Sequence, residues 1–128
     1  MRARIRAFSL IAVADCHSLV VPRARKRLTE QFKASPADVT SWINYWQILA
    51  LAAMERSLAE REVQSPFCFG DTPGLADICL AAQVAGCQNS DTSVDGFERI
   101  MAINGRCQEL EAFSATHPFV IRDRGAAH

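Results

Sequence analysis

The run Phe67–Val84, FCFGDTPGLADICLAAQV, constrains the fold more than any other part of the chain. Gly70, Asp71, Thr72, Pro73 and Gly74 interrupt any regular element. The residues that follow, Leu75 to Val84, are apolar except Asp77 and Gln83. A helix that is apolar nearly all round is a core helix, so the other elements must wrap around it. Asp77 then falls in the first turn of a helix expected to be buried. Backbone N–H groups at a helix start have no partner within the helix, and a carboxylate placed there accepts from them. Asp77 is therefore the expected capping side chain and Gly74 the expected N-cap. Glycine tolerates the cap conformation but has no side-chain acceptor. Only the reciprocal half of a capping box, from the Gly74 N–H to Asp77, is expected.

The remaining segments also read as helices. The first covers about Arg2 to His17, with Ile5, Phe8, Ala12, Cys16 and Leu19 on one face. Pro22 allows a new start, and Arg23 to Phe32 follow. Ser35 as N-cap, Pro36 at the first helical position and Asp38 in the first turn open a long helix to about Leu58. On it Trp42, Trp46, Leu49 and Ala53 stack on one side, with Ile43, Ala50 and Met54 beside them. Glu60 to Pro66 is polar and closes that helix. The buried helix from Leu75 is expected to end near Gly86, with Gln88 to Ser93 as a polar loop. A further helix spans about Asp95 to Ala112, with Ile100, Ile103, Cys107 and Leu110 in helical register. His117 and Pro118 stop any continuation, and the last five or so residues should fray. No segment alternates with period two. The expected fold is an all-α helical bundle, one domain over residues 1–128, because 128 residues are too few for two ordinary domains.

Formal net charge is zero, so nothing global points to nucleic acid or to a membrane surface. Residues 1–33 nevertheless hold eight Lys/Arg and two Asp/Glu, and residues 34–128 hold six and twelve, giving +6 and −6. The basic part, including Arg2, Arg4, Arg6 and the run Arg23, Arg25, Lys26, Arg27, reads as a solvated helix face or an anion-facing patch. The five cysteines, Cys16, Cys68, Cys79, Cys87 and Cys107, are odd in number and form no C-x-x-C. They read as reduced packing residues in a cytoplasmic protein. No spacing supports a metal site built from His17, His117 and cysteines. Residues 1–15 have the outline of a secretory signal, but the helical pattern continues past the supposed cleavage point. No run of about 18 apolar residues occurs, so no membrane-spanning helix is expected.

The run around Gly70–Leu80 resembles the helix at the heart of the C-terminal domain of cytosolic glutathione transferases, with the pattern G-D-x-x-(S/T)-x-A-D. The closer resemblance is to the zeta class, which includes maleylacetoacetate and maleylpyruvate isomerases. Gly74 stands where many of those proteins have Ser or Thr. A second stretch, Ala14 to Leu28, is similar to their D-I-H-P-L-N-N-L-R-V-L-x-Y-L at Asp15, His17, Leu19, Arg23 and Leu28. Val20 and Val21 replace the Asn pair and Pro22 the following Leu. Phe97 to Pro118 is similar to R-I-x-x-x-C-x-x-L-x-A-F-x-x-A-H-P.

The resemblance implies a role for two residues. His17 would lie near bound glutathione, and Arg23 would bind the carboxylates of a maleyl substrate. A guanidinium suits that task because it holds a carboxylate through two parallel hydrogen bonds. A second family arginine, in an N-A-R-R-F-like segment, has no counterpart in Ala85, Gly86, Cys87, Gln88, Asn89 and Ser90. The family binds and ionises glutathione on a thioredoxin-like βαβ domain with a Ser-Ser-Cys type motif. These 128 residues contain no such pattern. No catalytic residue is therefore assigned, and tight glutathione binding by these residues alone is not expected. The resemblance implies the substrate-side wall and dimer contacts of a transferase or isomerase, inactive alone. Its partner would be a thioredoxin-like domain or a second copy. The alternative is a freestanding, non-catalytic helical module for association or ligand binding.

Overall fold

The structure is a computed structural model that describes residues 1–125, with the side chain of Arg124 left aside. Among these residues every regular element is helical. They are α1 (Arg2–Leu10), a π-helical segment (Ile11–His17), α2 (Ser18–Val20), α3 (Pro22–Phe32), α4 (Pro36–Ala59), α5 (Leu75–Asn89), α6 (Glu98–Gln108), α7 (Glu111–Ser114) and α8 (Pro118–Gly125). An isolated bridge pairs Phe67 with Gly70. The all-helical expectation holds.

α5 is the hub, packed by α1, α4 and α6. Its Leu80, Val84 and Cys87 meet Phe8 and Ala12 of the first helix, Leu51, Met54 and Leu58 of α4, and Ile100, Ile103 and Cys107 of α6. Leu51, Met54, Leu58, Leu80 and Ile100 are completely shielded from solvent. Truncating any one of them to Ala should cost about 2–5 kcal/mol. All five cysteines are buried and unpaired.

The helix ends follow their sequence signals in most places. Ser35 and Asp38 form a full capping box: Asp38 N–H donates to Ser35 Oγ at 3.2 Å and Ser35 N–H to Asp38 Oδ2 at 2.8 Å. The Ser35 bonds hold the Asp38 carboxyl below the usual range. Val21 is extended, with ψ 157°, and its carbonyl accepts from Ala24 and Arg25 to open α3. The break leaves the Leu19 carbonyl to accept from the Trp42 indole N–H at 2.9 Å. α3 ends on Lys33 in the left-handed region, φ 56°, where the N–H groups of Lys33 and Ala34 both donate to Leu28 O.

Several expectations are corrected. The first helix is not uniformly α: from Ile11 to His17 it widens into a π-helix. α5 runs past Gly86 to Asn89, because Gly86 keeps helical geometry and the turn comes only where Asp91 takes φ 54°. Ser90 and Thr92 then anchor the turn to α4. Ser90 Oγ donates to Gln47 Oε1 at 2.7 Å, and the Thr92 hydroxyl reaches both Asn44 Oδ1 and Gln47 Oε1. The last long helix starts at Glu98 and breaks at Leu110, whose ψ is 129°. Pro118 does not merely stop a helix; it opens α8. Of the tail expected to fray, Arg124 and Gly125 belong to α8, and residues 126–128 lie outside the described residues.

Two burial expectations also change. α5 is not buried all round: Leu75 is 53% and Ile78 57% exposed, because its neighbours cover only part of its girth. On α4 the core face is Gln47, Ala50, Leu51, Met54 and Leu58, whereas Leu49 is 49% exposed. The tryptophan side faces the first helix instead of the core centre. Finally, Arg2–Phe32 forms one near-continuous helical stretch that is long and apolar enough, by length and composition, to cross a membrane. That corrects the expectation drawn from the run of apolar residues. Within it Phe8, Ala12 and Cys16 belong to the buried interior of this bundle.

Candidate functional site

Asp77 is 2% exposed and its two oxygens serve two different pieces of chain. Oδ2 accepts from the Gly74 N–H at 2.9 Å, the expected half of the capping box. Oδ1 accepts from the Cys68 N–H at 2.8 Å, nine residues upstream. Nothing in the sequence pattern singles out that second bond. Gly74, which has no side chain, contributes its N–H and the carbonyl that accepts from Asp77 and Ile78. Beside this carboxylate the Cys68 thiol is pushed far up by burial and then by the Asp77 charge. Cys107, on the same side, is pushed up to about 11 by burial first. These thiols are protonated packing groups at neutral pH and not nucleophiles. Asp77 and Gly74 are structural.

His17 and Arg23 flank the only non-helical residue between the first helix and α3. His17 closes the π-helical segment and Arg23 sits in the first turn of α3, after Pro22. Both are exposed, and among the described residues neither side chain makes a hydrogen bond or an ion pair. The residues between them, Ser18–Val20 and the extended Val21, turn the chain sharply. The arrangement offers one imidazole and one guanidinium to solvent. The thiol next to His17, Cys16, points inward; burial raises its pKa, partly offset by the Gln83 amide N–H 3.5 Å from its sulfur. Arg2, Arg4, Arg6, Lys26 and Arg27 are exposed, Arg4 lying 3.5 Å from Glu62 and Lys26 3.7 Å from Glu30, whereas Arg25 of the same run is partly buried.

A groove of about 490 Å³ runs between the π-helical segment and α4. Ile11, Leu19, Trp46, Leu49 and Ala53 line it, and Asp15 is the one charged residue among its lining residues. A carboxylate at an apolar groove repels an anionic ligand, so this groove does not fit a maleyl dianion. The Trp46 Nε1 is shielded there and has no partner among the described residues. A second apolar cavity, of about 360 Å³, opens beside Ile78 and Ala82 of α5, with Phe113 and His117 opposite. His17 and Arg23 line neither cavity. Exposed and outside both cavities, His17 and Arg23 do not enclose a ligand.

No family profile matches the chain. Individual proteins do. A maleylpyruvate isomerase from a Ralstonia species is 32% identical over 117 residues, which are 91% of this chain and 55% of that protein. The solved holo structure of a maleylpyruvate isomerase, described as a bacterial glutathione S-transferase of the zeta class, superposes with a TM-score of 0.89 at 31% identity. That match covers 93% of this chain and 56% of the other. A maleylacetoacetate isomerase from Methylobacterium extorquens, solved with bound malonate and glutathione, gives a TM-score of 0.90 at 26% identity, again over 93% and 56%. The chain spans about half the length of the relatives it matches. Sequence and fold agree on the same group of proteins: the chain is homologous to the maleylacetoacetate and maleylpyruvate isomerases, zeta-class glutathione transferases, and has the all-helical fold of their C-terminal domain.

Proposed function

We propose that these residues form the substrate-side helical part of a glutathione-dependent isomerase or transferase, working against a thioredoxin-like domain that holds glutathione. The observation that carries the reading is the uncovered side of α5. A central helix that exposes Leu75 and Ile78, 53% and 57%, beside an apolar cavity is built to be covered. When bound, glutathione supplies the thiolate chemistry of cis–trans isomerisation. The residues of this chain position and wall the substrate. Arg23 pairs with a carboxylate of the acceptor, and His17 donates to glutathione. Both act by charge-assisted hydrogen bonds that gain strength once a second surface excludes water. The proposed setting is the cytoplasm, the proposed assembly a dimer, and neither nucleic acid nor a membrane is a proposed partner.

Alone, the 128 residues should neither turn over maleyl substrates nor hold glutathione tightly. Two exposed contacts are a small gain against the cost of ordering a ligand. A second reading, a non-catalytic module, draws on one observation. The segment where relatives carry their second arginine is here the last turn of α5, sealed onto α4 by Ser90 and Thr92. Calorimetric titration with glutathione separates the two. Binding that appears only when a zeta-class thioredoxin-like domain is added in trans, and that weakens in Arg23→Ala, supports the first reading. No binding with that domain present supports the second.

A further inference from the structure

Away from His17 and Arg23, a cavity of about 420 Å³ lies between α6 and the chain that links α4 to α5. Arg99, Ala102, Ile103 and Arg106 share one face of α6, at helical spacing, and line one wall. Gln64, Ser65 and Pro66 form the facing wall, with Arg61 beside them. Three guanidinium groups thus meet one cavity, and no carboxylate is among its lining residues.

The charges of these arginines are unequally balanced. Arg99 pairs with Glu55 at 3.1 Å. That carboxylate also accepts the backbone N–H groups of Arg99 and Ile100, so it is fully used. Arg106 donates through Nη1 to the Pro66 carbonyl at 3.0 Å. Arg61 donates to the carbonyls of Leu58, Phe67 and Cys68 and to the Gln64 amide oxygen. Carbonyl oxygens orient a guanidinium but bring no net charge to cancel its own. Asp77, across the Cys68 peptide, is turned inward to Cys68 and Gly74. Two cations therefore face the cavity held in place by neutral acceptors. Ala102 is small enough to leave the space between Arg99 and Arg106 open. An oxyanion entering there meets preorientated N–H donors and removes the repulsion between the arginines.

We propose that this cavity is a binding site for a small molecule bearing a dianionic oxyanion, a phosphate or a pair of carboxylates, with Arg106 as its charged contact, Arg61 as a fixed positive background, and Arg99, already paired with Glu55, as a further hydrogen-bond donor. The site is separate from the glutathione-side reading above and does not depend on it.

The test is calorimetric titration of the chain with inorganic phosphate and with malonate at low ionic strength, sodium chloride serving as the control anion. Saturable 1:1 binding of either dianion, weakened about tenfold or more by Arg106→Gln, is expected. Arg106 also holds Pro66, so Ala102→Glu is the second variant. It keeps every arginine, suits a helix, and places a carboxylate in the cavity; it should weaken binding at least as much. Arg27→Gln, on exposed α3 outside the cavity, should leave binding unchanged. Binding of phosphate alone assigns a phosphoryl ligand, and binding of malonate alone a dicarboxylate. Absence of saturable binding up to about 10 mM overturns the proposal. So does binding that survives in Ala102→Glu or is lost in Arg27→Gln.

Discussion

Replacing Asp77 by Ala tests the central claim about how α5 is held. The carboxylate is 2% exposed and accepts two backbone N–H bonds, from Cys68 at 2.8 Å and Gly74 at 2.9 Å. Their fates in the variant differ. The Cys68 N–H belongs to a fully buried residue and loses its acceptor with no access to water, which costs about 1–3 kcal/mol. The Gly74 N–H is at an exposed residue and can be rehydrated, so its loss resembles that of an ordinary cap, about 0.5–1 kcal/mol. The sum is about 1.5–4 kcal/mol, a large share of the stability of a domain this size. Urea denaturation followed by helical circular dichroism reads it directly, as a lower midpoint with an unchanged slope. Asp77→Asn should fall between wild type and Ala, since the amide keeps one acceptor and turns a donor toward the other N–H. Glu60→Ala, an exposed carboxylate, is the reference. If Asp77→Ala shifts the midpoint no more than Glu60→Ala, the two bonds are not what fixes the start of α5.

Glu55→Ala should cost about 1–2 kcal/mol by the same denaturation assay, because Glu55 on α4 caps α6 through the N–H groups of Arg99 and Ile100. Lys33→Gly should raise stability by about 0.5–1 kcal/mol, since a non-glycine residue at φ 56° carries a left-handed penalty that Gly removes, less the entropy Gly adds to the unfolded chain; an unchanged or lowered melting temperature would contradict this. Burial pushes Cys87 and Cys107 up to about 11 from an ordinary 9.0. The folded state therefore keeps protons that the unfolded state loses above pH 9, so the stability from these groups is whole below about pH 9 and declines as pH rises toward 11. Denaturation midpoints across pH 8 to 11 check the sign, and a midpoint that rises over that range would refute it.

The legible parts of the fold were those written in local chemistry. Ser35-Pro36-x-Asp38 announces a helix start because Ser35 and Asp38 satisfy each other's backbone N–H within one turn and Pro36 brings no N–H to satisfy. Asp77 and Gly74 were readable for the same reason. What stayed hidden depends on distant partners. The Cys68 bond to Asp77, the Glu55 cap on α6 and the Arg61 contacts to four carbonyl or amide oxygens join residues whose separation carries no periodic signal. The tryptophan stripe of α4 has helical spacing, but spacing alone does not say which of two apolar faces meets the core. For the candidate site, motif similarity points to His17 and Arg23, which the fold leaves exposed on either side of the break at Val21. The arginine cavity of α6 was not visible, since Arg61 reaches it only through the path of the linking chain.

The π-helical segment Ile11–His17 has a consequence for how this chain can change over time. A π-helical segment accommodates an extra residue within a helix by widening the backbone ring from i+4 to i+5. Here the surplus lies between two anchors, buried Phe8 on one side and the Leu19–Trp42 bond on the other, with Ala12 and Cys16 packed inward within the segment. A single-residue deletion at exposed Val13 can be absorbed by relaxing the segment to α geometry, with both anchors kept. The same deletion in α4 or α5 would rotate every following side chain off its face. Length variation among descendants of this sequence should therefore collect at that one place in its helices, directly beside His17.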